Sequence, residues 1–164
     1  MKPRVYVETS VVSYLTAQPS RDIVIAGRQE VTREWWAAAS SRLELVISQL
    51  VREEAGVGDP DAATARLAAL APLVRLTFPR EALELAQRLV DAGAVPRRAG
   101  QDAAHVAIAA VHDVEFLVTW NFRHIANAAA RRRIEAVRRD RDIDPPVLCT
   151  PEELTEVEEL DNDR

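Results

Sequence analysis

A single cysteine, a single lysine and no long apolar run mark this chain, and each shortage removes a class of protein. Cys149 stands alone, so no disulfide can form within the chain, a pattern that fits a reducing compartment. The N-terminal MKPRVYVETS has no apolar stretch of signal-peptide length, and no run approaches the roughly 20 apolar residues of a membrane span. Together these set the expectation of a soluble cytoplasmic protein with no membrane partner. No Gly-x-x-x-x-Gly-Lys occurs, which excludes a P-loop. The stretch GVGDPD, from Gly56, has no third glycine in register and no abutting strand, so it is not read as a nucleotide loop. The formal net charge is −5, so no global positive field advertises nucleic acid, and a polyanion would need a local patch.

What is present is a globular composition. The 164 residues are 48 % hydrophobic, enough for one domain with a sizeable core and too few for two ordinary ones. Short β-branched runs predict strands over 4–7, 45–48, 74–78, 115–119 and 147–149. Helical patterns fill the gaps, over 10–15, 23–40, 50–56, 61–70, 80–92, 102–112 and 122–139. Strands alternating with helices imply a parallel sheet covered on both faces. Residues 1–150 read as one domain, followed by an acidic helix or tail over 151–164.

The first strand poses the functional question. In VYVETSVVSYL the run Val5-Tyr6-Val7 leads straight into Glu8, then Thr9 and Ser10. A lone buried carboxylate is costly, so a partner or a water-filled cleft must meet it. In open α/β sheets, ligands collect beyond the carboxyl ends of the strands. Glu53 and Glu54 lie about one helical turn past the second strand, Asp102 opens the helix before the fourth, and Asn121 follows that strand in FLVTWNF. Carboxylates brought together raise one another's pKa, and a divalent cation removes that penalty. Mg²⁺ takes oxygen ligands, keeps several waters and is often held by one or two carboxylates plus phosphate; Mn²⁺ suits the same donors. Such a metal lets an acidic pocket process an acidic polymer.

Four segments, VYVETSVVSYL, VISQLVREEA, QDAAHVAIAA and FLVTWNFRHIAN, resemble the four motifs of PIN-domain proteins, most closely the VapC-like toxins of type II toxin–antitoxin pairs. In the family the first motif usually reads Asp-Thr/Ser-Ser after a strand; here Glu8-Thr9-Ser10 stands there. The second places a glutamate six residues after a strand-ending serine, which counted from Ser48 selects Glu54 over Glu53. The third is an Asp-x-x-His helix start, matched by Asp102 and His105. The fourth is commonly an aspartate after Leu-x-Thr-x; here Asn121 follows Thr119-Trp120. The resemblance implies a three-layer α/β/α sandwich with strand order 3-2-1-4-5, Mg²⁺- or Mn²⁺-dependent ribonuclease activity, an RNA substrate and a cognate antitoxin protein. It also implies catalytic and metal-binding roles for Glu8, Glu54, Asp102 and Asn121, with Thr9, Ser10 and Thr119 in support. Glu for Asp at position 8 lengthens one arm, and Asn121 removes one charge, so metal binding without substrate should be weakened.

Other readings stand beside these. Glu8 also reads as a solvated carboxylate after an edge strand, Glu54 as a helix-surface acid, Asp102 as an N-cap and Asn121 as a turn residue. Thr9 and Ser10 are expected to hold Glu8 and cap the following helix. His105 reads as packed or hydrogen-bonded behind Asp102, or as a metal ligand; His112 lies seven residues on, on about the same face. Arg123 is placed for phosphate contact, and His124 either meets substrate or braces its loop. The basic RRRIEAVRRDR, residues 131–141, reads equally as a phosphate-binding or a solvated helix face. A homodimer would pair such surfaces. Of the adjacent Trp35 and Trp36 one should pack, leaving the other free to anchor a partner. Two further functions compete: a catalytically weakened PIN-fold module binding RNA or protein, motivated by Glu8 and Asn121, and a phosphorelay receiver. The receiver needs a late lysine, and none follows Lys2.

Overall fold

β1 (Arg4–Val7) is β-branched and aromatic, and Val5, Tyr6 and Val7 are completely buried. Burial on both faces is what the central strand of a parallel sheet requires. The computed structural model describes residues 1–139 and 144–155. β1 pairs in parallel with β2 (Glu44–Ser48) on one side and β4 (Phe116–Val118) on the other, with Tyr6 opposite Val46 and Leu117. β3 (Val74–Leu76) extends the sheet beyond β2, and β5 (Val147–Cys149) extends it beyond β4. The order is therefore β3-β2-β1-β4-β5, all parallel, with helices on both sides, as the sequence led us to expect.

Polar side chains launch the helices. Glu8 accepts from Ser10 N at the start of α1 (Thr9–Thr16), and Asp22 accepts from Val24 N and Ile25 N at the start of α2 (Ile23–Arg42). Ser48 caps α3 (Gln49–Ala55), and Asp59 caps α4 (Pro60–Leu70), whose proline occupies the first turn where no amide donor is needed. α5 (Arg80–Asp91) turns Ala82, Leu85, Ala86 and Leu89 inward. It stops where Gly93 takes a φ of 70°, a conformation glycine adopts without steric cost. It packs on α6 (Gly100–Val111), whose residues 103–110 are all buried and mostly alanine. α7 (Ala128–Arg139) precedes β5.

This topology gathers polar groups at one edge. Glu8 leaves β1, Ser48 ends β2, and Thr119 follows β4. α6 ends just before β4 begins, so its first turn, with Asp102, returns to the carboxyl edge of the sheet.

Several local expectations need correction. The helix expected over 122–139 starts only at Ala128, because residues 121–127 form a turn: Asn121 O accepts from Ile125 N and Ala126 N, and Asn127 Oδ1 accepts from Ala130 N. Asp102 is not an N-cap; α6 begins at Gly100 without any side-chain cap. Trp35 packs into the core, and Trp36 is partly buried against it. Beyond β5 a helical segment, 151–155, buries Leu154 in the same core. The rest of the expected acidic tail, 156–164, and residues 140–141 of the basic stretch lie outside the described residues. No described helix is long and apolar enough to cross a membrane.

Candidate metal centre

Glu8 is 6 % exposed, and its three hydrogen bonds all fall on Oε2. Ser10 N donates at 3.1 Å, Thr119 Oγ1 at 2.7 Å, and Ser10 Oγ donates as well. Ser10 Oγ in turn accepts from Trp120 N at 2.8 Å, and Thr119 Oγ1 accepts from Asn121 N at 2.9 Å. One carboxylate oxygen thereby ties β1 to the turn after β4, and Oε1 takes none of these bonds.

Glu54, on the inner side of α3, is gripped from two elements. Thr9 Oγ1 donates to Oε2, so Thr9 holds Glu54 and not Glu8 as expected. His105 Nε2 lies 3.1 Å from Oε2 and 3.3 Å from Oε1. Its neighbour Glu53 turns away and accepts from Gln49 Nε2. Burial alone would raise the Glu54 pKa, but the hydrogen bond and charge of His105, with the Thr9 bond, hold it below the usual carboxylate range.

His105 is packed and hydrogen-bonded as expected, but its partners are Glu54 and Tyr6 and not Asp102. It is completely buried; burial opposes its charged form, yet the bond to Glu54 and the charges of Glu8, Glu54 and Asp102 raise its pKa. Its Nδ1 sits 2.8 Å from Tyr6 Oη, which is 2.6 Å from Ser48 Oγ. Ser48 Oγ accepts from Val51 N. A carboxylate can only accept, so the ring nitrogen facing Glu54 carries a hydrogen. His105 therefore aims Glu54 and gives it a fixed donor. The signal was its place three residues after Asp102, but the Tyr6 link spans 99 positions and has no local trace. His112 instead faces Thr77 O at 3.0 Å, outside this network.

Asp102 forms a second half of the edge. Its Oδ1 accepts from Asn121 Nδ2 at 2.9 Å, and its Oδ2 meets His124 Nδ1 at 2.7 Å. Asn121 Oδ1 accepts from His124 N at 3.1 Å. Asn121 and His124 thus brace Asp102, while Arg123 between them is exposed. In the basic stretch, Arg131 makes a bidentate pair with Glu153, at 3.0 and 2.7 Å, fixing α7 to the 151–155 segment.

Among the described residues, Glu8, Glu54 and His105 each offer a donor atom within 4.8 Å of the others. Asp102 is outside that tight group, though its charge reaches His105. The ion pairs of the described residues put no Arg or Lys on Glu8 or Glu54. Two close carboxylates with no arginine or lysine, one of them nearly buried, fit a hard divalent cation in donor chemistry and in charge.

No protein-family model matches the chain, and no curated protein matches it. Solved structures do. The fold is similar to that of VapBC2 from Rickettsia felis bound to a DNA fragment from their promoter, at 15 % identity and a TM-score of 0.53, covering 73 % of this chain and 89 % of that one. It is likewise similar to VapC20 of Mycobacterium tuberculosis, described as a sarcin–ricin loop cleaving toxin, at 15 % identity and a TM-score of 0.52, covering 73 % and 91 %. The chain has the VapC-like PIN fold that its four motifs led us to expect.

Proposed function

We propose that this PIN-fold chain is a metal-dependent endoribonuclease and the toxin member of a toxin–antitoxin pair. The observation that carries the reading is the approach of Glu8 and Glu54 carboxylate oxygens to within 4.8 Å of each other at the carboxyl edge of the sheet, with His105 holding Glu54. The likeness to VapC structures supports it.

Glu8 and Glu54 would hold Mg²⁺ or Mn²⁺, with Asp102 completing the acidic edge. When bound, such an ion lowers the pKa of water and offsets charge on a phosphodiester. The chain's own residues do the rest. Ser10 and Thr119 fix Glu8; Thr9 and His105 fix Glu54; Asn121 and His124 fix Asp102. Asn121 positions Asp102 through Nδ2, and its Oδ1, which accepts from the His124 amide, keeps a second lone pair that could meet the ion. Exposed Arg123, beside this edge, is suited to an RNA phosphate. The resemblance to PIN-domain proteins implies products with 5′-phosphate and 3′-hydroxyl ends. An antitoxin protein partner follows from the same reading, by analogy with the Rickettsia complex.

The test is cleavage of mixed RNA by purified protein with Mn²⁺. Cutting that is lost in both Glu54→Ala and Asp102→Ala supports the enzyme. Intact RNA under every divalent metal would leave only a binding module.

A further inference from the structure

A part-exposed phenylalanine with a cationic neighbour follows the acidic edge in the chain. Phe122 follows Asn121, whose side chain bonds Asp102, and it is 39 % exposed. The Arg28 guanidinium carbon lies 4.5 Å from the centroid of the Phe122 ring and 5.7 Å from that of Trp120. Among the described residues no carboxylate pairs with Arg28. Behind them ring contacts and hydrogen bonds tie the array together. Trp120 is buried, its ring 6.0 Å from both Phe122 and Tyr14, and its indole Nε1 donates to Thr32 Oγ1 at 2.8 Å. Thr32 Oγ1 donates in turn to Arg28 O, so α2 is fastened to the turn that carries Phe122. Trp120 N also donates to Ser10 Oγ, the hydroxyl that holds Glu8.

We propose that Phe122 and Arg28 form a stacking platform for one base of the RNA strand that reaches the carboxylate edge. This rests on the nuclease reading above and adds a strand-holding contact to it. An aromatic face with an adjacent guanidinium is the pairing that single-stranded nucleic acid uses: the ring takes a base of any identity, and the cation takes stacking or phosphate. The placement answers an electrostatic need. A chain of net charge −5 with three carboxylates at its site repels a polyanion, and Arg28 with Arg123 supplies local positive charge at the rim.

Fluorescence anisotropy tests this, with Ca²⁺ in place of Mg²⁺ so that the strand stays whole. The probes are a short labelled RNA of random sequence and an abasic ribose-phosphate strand of equal length. The wild type should bind the base-bearing strand about tenfold more tightly. Phe122→Leu, which keeps apolar bulk and loses the π-face, should erase that preference, and Phe122→Trp should keep it. A merely structural role for Phe122 would weaken both strands alike and overturn the proposal. A base preference that survives in Phe122→Leu would also overturn it while leaving the nuclease reading intact, and would hand this surface to a protein partner. No binding of either strand by the wild type would sink both readings.

Discussion

His105 Nε2 sits 3.1 Å from Glu54 Oε2 while the opposite ring nitrogen sits 2.8 Å from Tyr6 Oη. The imidazole thus spans the sheet centre and the acidic edge. Its removal takes a fixed donor from Glu54 and a buried partner from Tyr6. His105→Ala should destabilise the fold by about 2–4 kcal/mol, measured by urea unfolding. It should also weaken Mn²⁺ binding by about 10–100-fold, because aiming of a ligand by a neighbouring donor has that typical worth.

Asn121→Asp restores the family's usual charge, but at a cost that the geometry specifies. Asn121 Nδ2 now donates to Asp102 Oδ1 at 2.9 Å. An aspartate there loses the donor and sets two carboxylates face to face, which raises the pKa of at least one. The metal-free variant should unfold at lower temperature, by about 1–2 kcal/mol of lost stability. Mn²⁺ should raise its Tm by more than it raises that of the wild type. Thermal scans with and without Mn²⁺ read both effects.

Much of the architecture was legible because its signals are local. Short apolar runs such as Val5-Tyr6-Val7, alternating with helical patterns, pointed to parallel strands, and the resemblance carried by the four motifs implied their order. The acidic edge was legible in its members but not in its wiring. Thr9 follows Glu8 in the chain, yet its hydroxyl reaches Glu54, 45 residues away. The turn over 121–127 looked helical because its hydrophobic spacing is helical; Asn121 and Asn127 override it by binding nearby backbone groups, which Asn side chains do readily. Which oxygen a hydroxyl reaches depends on tertiary placement that no spacing encodes.

The Arg131–Glu153 pair makes a pH-dependent contribution away from the site. The Arg131 hydrogen bond, with the Thr150 backbone bond and the Arg131 charge, holds the Glu153 carboxyl below its usual range despite partial burial. A carboxylate with a depressed folded-state pKa stabilises above its unfolded pKa, and that stability is lost as pH falls through the folded value. Glu153→Gln should therefore lower the Tm at neutral pH, and the difference from wild type should close as pH drops below about 4. Both side chains are more than a third exposed, so screening keeps the effect to about 1 kcal/mol or less.

Cys149 is buried on β5, and burial, with the nearby Glu153 charge, pushes its thiol up to about 12. A thiol so rarely ionised is a poor nucleophile. A disulfide reagent at pH 8 should leave the native protein unlabelled and titrate this thiol promptly once the chain is unfolded in guanidinium. Fast labelling of the native protein would show that the β5 edge opens readily.

Calorimetric titration with Mn²⁺ reaches the central claim, that Glu8 and Glu54 share one cation. The wild type should show one binding event per chain, and Glu8→Gln and Glu54→Gln, which preserve shape and remove charge, should each lose most of that affinity. Equal Mn²⁺ binding by the wild type and both variants, or no uptake by the wild type, would contradict the account.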